Sequence, residues 1–107
     1  MSMDGDTVWV FNGAGGQYPS GVFRTLDDAE AWIARESLTG CLTQYPVGIS
    51  VLDWALAKGF FDPEPKPGRA DKLADPAWVG RFSSASAPHY HYEGGSRPGA
   101  NEDDQAR

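Results

Sequence analysis

Residues 7–13 (TVWVFNG) hold a short continuous apolar run, Val8, Trp9, Val10 and Phe11, that reads as a strand closed by Asn12 and Gly13. A glycine-rich stretch follows at residues 12–20 (NGAGGQYPS), and its Tyr-Pro-Ser-Gly ending is turn chemistry leading into a second strand at residues 21–24. Two neighbouring strands joined by a loop of this length predict an antiparallel hairpin with a mobile tip. The period then changes. Leu26, Ala29, Trp32 and Ile33 recur at helical spacing and predict a helix over residues 26–37 with one apolar face. Thr25 is its N-cap, with Asp28 three residues on in the position of a capping box. Asp27 and Asp28 complement the positive end of the helix dipole, and Arg35 the negative end.

Residues 41–45 (CLTQY) read as a third strand, stopped by Pro46 and Gly48. Ser50 opens a second helix by the same device, with Asp53 three residues later. Val51, Leu52, Trp54, Ala55 and Leu56 make that helix apolar nearly all round, which predicts deep burial. Gly59 is placed to cap it in a left-handed conformation, and Phe60 and Phe61 to fold back onto it. Three prolines at alternate positions in residues 62–68 (DPEPKPG) exclude a helix, so a connector is drawn over residues 62–74. Asp75 followed by Pro76 marks the start of a short third helix, over residues 76–84, with Trp78, Val79 and Phe82 on one side. Residues 88–93 (PHYHYE) alternate and predict a last strand. These elements define an α+β fold: a small, mostly antiparallel sheet of three to four strands, packed by two main helices plus a short third one.

Size and composition bound the rest. Residues 1–6 and 94–107 carry almost no apolar side chains, so both are expected to be disordered, flanking a single domain at residues 7–93. About 85 residues suffice for independent folding without staples, and four Trp, four Tyr and five Phe enlarge the area available for burial. Cys41 is the only cysteine, so no intrachain disulfide forms, and a buried thiol is expected within its strand. There is no charged-then-apolar leader and no apolar run of membrane-spanning length. A cytoplasmic location, without membrane contact, is the expectation. The net charge is −6, and residues 1–61 hold seven acids against three bases. Such a field repels phosphate backbones, argues against nucleic acid, and suits a basic protein partner.

Candidate chemistry is sparse. The Asn-Gly-Ala-Gly-Gly loop precedes a strand where a phosphate site needs a helix, and the Lys-Ser/Thr ending of a P-loop is missing. No serine stands in a nucleophile elbow, and capping accounts for Asp27, Asp28 and Asp53. His89, His91 and Glu93 fall on one face of a strand, where a His-x-His pair with a carboxylate is a legitimate metal set. These are the only two histidines, and the simpler arrangement packs Tyr90 and Tyr92 on the sheet while the histidines face water. No cofactor is indicated and no catalytic residue is assigned. The aromatic content exceeds what a small sheet and two helices need inside, which marks Trp9, Tyr18, Tyr45 and Trp78 as candidate contacts to a protein partner.

The strings VFNG, PSGVF, LTQYP, DWA and HYHYEGG, spread over residues 8–95, resemble a family of small uncharacterised bacterial proteins, a domain of unknown function. Leu52 stands where that pattern has an aromatic before DWA, and the Pro-rich connector is longer. The family supplies no catalytic residue to carry over. In size and charge the chain also resembles immunity proteins of bacterial toxin systems. Its strand–strand–helix–strand order is similar to the hybrid-binding domain of some ribonucleases H, which uses basic residues on its sheet that this chain lacks. The expectation is therefore a non-enzymatic protein-binding module of immunity-like or regulatory type. The alternative is a small metal-binding protein, or metal-dependent enzyme, using His89, His91 and Glu93.

Overall fold

A computed structural model describes residues 5–62 and 70–98. Most of the connector drawn from sequence, at residues 63–69, lies outside the described residues, as do residues 1–4 and 99–107 of the two termini. The chain runs β1 (Thr7–Gly13), β2 (Gly21–Phe23), α1 (Leu26–Glu36), β3 (Gly40–Pro46), α2 (Val51–Lys58), a 3-10 turn (Ala70–Ala74), α3 (Pro76–Arg81) and β4 (His89–Tyr92). The four strands form one antiparallel sheet in the order β2-β1-β3-β4.

The caps read from sequence set the helix starts. Thr25 Oγ1 accepts from the Asp28 amide at 3.1 Å, and Ser50 Oγ from the Asp53 amide at 3.0 Å. Asp75 Oδ1 accepts from the Ala77 amide at 3.0 Å, with Pro76 in the first turn, where its missing N–H costs nothing. The ends differ more. α1 stops at Ser37, which takes the left-handed conformation (φ 55°) usually left to glycine, while its amide bonds back to Ala34. α2 ends at Gly59 (φ 79°), as its sequence requires. α3 is shorter than the 76–84 expected, because Phe82 turns extended (ψ 135°).

The β1–β3 register pairs Phe11 with Leu42 and Trp9 with Gln44, and the β3–β4 register pairs Leu42 with Tyr90 and Gly40 with Tyr92. Alternation thus puts Trp9, Phe11, Leu42, Tyr90 and Tyr92 on one face. α1 lays Ala29 and Ile33 on that face, building a core with Trp9, Phe11, Leu42 and Tyr92 buried, and Phe23, Leu26, Trp32, Leu38 and Tyr90 around them. Gly40 makes the tight approach to β1: a Cβ there would lie 2.3 Å from Asn12 O and 2.7 Å from the Phe11 ring. A second, smaller cluster gathers Trp54 and Ala55 of α2 with Ala87, flanked by Val51, Phe60, Phe61 and Phe82. Phe60 folds back as its sequence suggests, its amide reaching Ala55 O and its ring 5.3 Å from that of Trp54. Val79, expected inward with Trp78 and Phe82, is exposed, because only the latter two meet Phe61.

Candidate functional site

The face of the sheet opposite α1 carries Val8 and Val10 of β1, Val22 of β2, Cys41, Thr43 and Tyr45 of β3, and His89 and His91 of β4. None of these side chains is buried: Val22, His89 and His91 are exposed and the others half-buried. Cys41 is accordingly half-buried, against the buried position its apolar strand implied. Its sulfur lies 3.7 Å from Thr43 Oγ1, on the same strand face.

At the β2 edge this face opens into a hollow of about 430 Å³, whose walls include Asp6, Val8, Val22, Phe23, Arg24 and Val47. Val22 is 63% and Val47 52% exposed, although both are fully apolar. β2 is three residues long and is an outer strand of the sheet. A short outer strand beside exposed valines is a place where another chain gains both main-chain pairing and burial.

At the β4 edge the histidines point to the open face as the alternation requires. Their rings stand 5.5 Å apart at 86°, and His89 Nδ1 lies 2.8 Å from Ala87 O, which fits the tautomer carrying its proton on Nδ1. Across the sheet His91 is the partner of Cys41 and His89 of Thr43. The backbone of Glu93 bridges Ser96 in the turn after β4, and Glu93 and His91 both line one hollow. Among the described residues, no three His, Cys, Asp or Glu side chains come together in a group that could hold a metal ion.

The four aromatic candidates separate. Trp9 is removed from the surface, 8% exposed and stacked on Tyr90 at 5.8 Å, because its strand position faces α1. It is a core residue, not the exposed aromatic its sequence position suggested. Trp78 packs among Phe61, Phe82 and Lys72, half-buried. Tyr45 is half-buried on the open face opposite Val8. Tyr18, at the hairpin tip, is 73% exposed.

Sequence reasoning missed a polar cluster on the other side of the sheet. Tyr92 donates to Glu30 Oε2 at 2.5 Å, and Arg97 donates to the same oxygen from Nε at 2.9 Å and from its terminal nitrogen at 2.6 Å. The Arg97 guanidinium lies 3.8 Å over the Tyr90 ring. Burial, then the bond to Glu30, pushes the Tyr92 hydroxyl well above the ordinary tyrosine range. Burial works against the charge on Arg97, but hydrogen bonding to Glu30 and the neighbouring Tyr92 outweighs it and raises that group too. Residues 94–98, assigned by sequence to the disordered tail, are therefore tied to the domain. The Gly94 amide bonds to Thr39 Oγ1 and the Gly95 amide to Leu38 O, both at backbone turns with positive φ. Low apolar content concealed this, since the contacts are polar and long-range. The only local signal was an arginine just after a Gly-Gly turn.

Four antiparallel strands with helices packed against them define a small α+β domain, and its polar cluster closes the end of the sheet. The chain belongs to a family described as a domain of unknown function, DUF7710, whose model matches residues 8–98 and so takes in both β4 and the segment through Arg97. Neither the curated proteins nor the solved structures give a match. Among the described residues, no helix is long and apolar enough to cross a membrane.

Proposed function

We propose that this chain is a non-enzymatic protein-binding module, of bacterial immunity-like or regulatory type, acting in the cytoplasm. The observation that supports it is the hollow beside β2, of mixed polar and apolar lining, where the apolar side chains of Val22 and Val47 stand exposed next to an outer strand. An apolar patch of this kind next to unpaired backbone favours a partner that adds a strand or lays an apolar face there. The net charge of −6 favours a basic partner and speeds the encounter at low salt.

The test is affinity capture from native lysate with tagged full chain, read by mass spectrometry, beside the doubly substituted Val22→Asp, Val47→Asp chain. Both positions are exposed, so the fold should change by only about 0.5 kcal/mol at each. One stoichiometric protein on the parent chain, lost from the variant, is the expected result. Capture of nothing by folded bait, or equal capture by the variant, overturns the reading.

A further inference from the structure

The Glu30–Tyr90–Tyr92 constellation has the chemistry of an arginine receptor. A carboxylate at the back accepts two N–H groups, a tyrosine hydroxyl braces the same oxygen, and an aromatic face lies under the guanidinium plane. All three walls come from α1 and β4. None comes from the segment that carries Arg97. The walls and their occupant thus come from different elements, and Arg97 enters from a strap anchored separately through the Gly94 and Gly95 amides.

The occupant is not sealed in. The Arg97 side chain is 37% and that of Glu30 32% exposed, and a hollow of about 420 Å³ opens beside them, between Ala34 and Ser96. A group approaching from solvent can therefore reach the carboxylate. In a chain with net charge −6, such a site attracts cationic side chains in preference to anionic ones.

We infer that this pocket is a second interaction surface, specific for an arginine on a basic protein partner, and that Arg97 occupies it in cis as a built-in competitor. The inference rests on the reading of the chain as a protein-binding module and deepens it by naming the side chain that the module recognises. An arginine tethered a few residues away acts at an effective concentration on the order of millimolar. A partner arginine displaces it only when further contacts hold that partner in place, which makes the strap a selectivity filter against isolated cationic groups. Lysine is a poor substitute, because one ammonium cannot both fork onto the Glu30 oxygen and lie flat on Tyr90.

The experiment uses the full chain and a blocked Gly-Ser-Arg-Pro peptide as probe, with the citrulline peptide as the neutral control. Binding is followed by intrinsic tryptophan fluorescence, in which Trp9, one of the four tryptophans, stacks on Tyr90 of the pocket wall. The Arg97→Ala chain should bind the arginine peptide at least about tenfold more tightly than the parent, because the cis competitor is gone. Adding Glu30→Gln should abolish that binding. No binding by folded Arg97→Ala chain at millimolar peptide, or equal binding of the citrulline peptide, overturns the inference. Should Arg97→Ala fail to fold, the parent chain decides. Its Arg97 Nε–H resonance should move toward the position of free arginine as peptide is added, and a resonance unmoved at millimolar peptide overturns the inference equally. Because the probe is a peptide, this outcome is independent of lysate capture, and the two readings fail separately.

Discussion

Tyr92 shows how a single side chain links burial, charge and stability. Its ring belongs to the core under α1 while its hydroxyl reaches Glu30, 62 residues away in sequence. The raised proton affinity has a defined consequence. The unfolded chain releases the tyrosine proton near pH ~10, whereas the folded chain still holds it. Above that pH the unfolded state binds fewer protons, so the contribution of Tyr92 is complete below about pH 10 and is lost as pH rises beyond it. Urea titrations from about pH 9 to about pH 11 should show stability declining, with a shallower decline for Tyr92→Phe. At neutral pH the same substitution should cost about 1 kcal/mol, the net worth of one hydrogen bond, since Arg97 still satisfies Glu30.

Among the elements, those with strong local signals were legible and those defined by distant contacts were not. Three helix starts could be read from Thr25, Ser50 and Asp75 because a cap is satisfied within three residues of itself. The end of α1 falls within one residue of its expected place, and the chain turns left-handed there at Ser37, which carries no such signature. β1 is legible as an apolar run and β3 as a segment closed by Pro46 and Gly48, yet nothing local could show that Gly40 lies under the Asn12 carbonyl. That closeness makes Gly40→Ala a sharp test of the register. The added methyl would meet backbone as well as the Phe11 ring, and should cost about 3 kcal/mol, at the upper end for overpacking. Thermal unfolding of the variant reads this directly, and an unchanged midpoint would mean that β1 and β3 are paired differently.

At the scale of the whole molecule the core is divided. The cluster under α1 holds six buried residues, including the fully buried Phe11, Ile33 and Leu42, each worth about 1.5–3 kcal/mol of burial. The cluster around α2 holds three, and α3 buries no residue of its own. Native-state hydrogen exchange should therefore find the amides of β1, β3 and α1 opening only with global unfolding, and those of α2 and α3 at lower free energy. Equal protection in both regions would contradict that division.

The sequence alone determined the α+β class, a sheet of three to four strands with two main helices and a short third, the caps and the outward-facing histidines. Each of these follows from side-chain period or from hydrogen bonds closed within a few residues. Tertiary structure decided the rest. It turned Trp9 inward, left Val22 of the outer strand β2 and Val47 after β3 exposed, bridged the backbone of Glu93 to Ser96, and drew Arg97 out of an apparently featureless tail onto Glu30. These outcomes depend on which face α1 covers and which strands meet, and so on contacts between residues far apart in the chain, which local pattern does not encode.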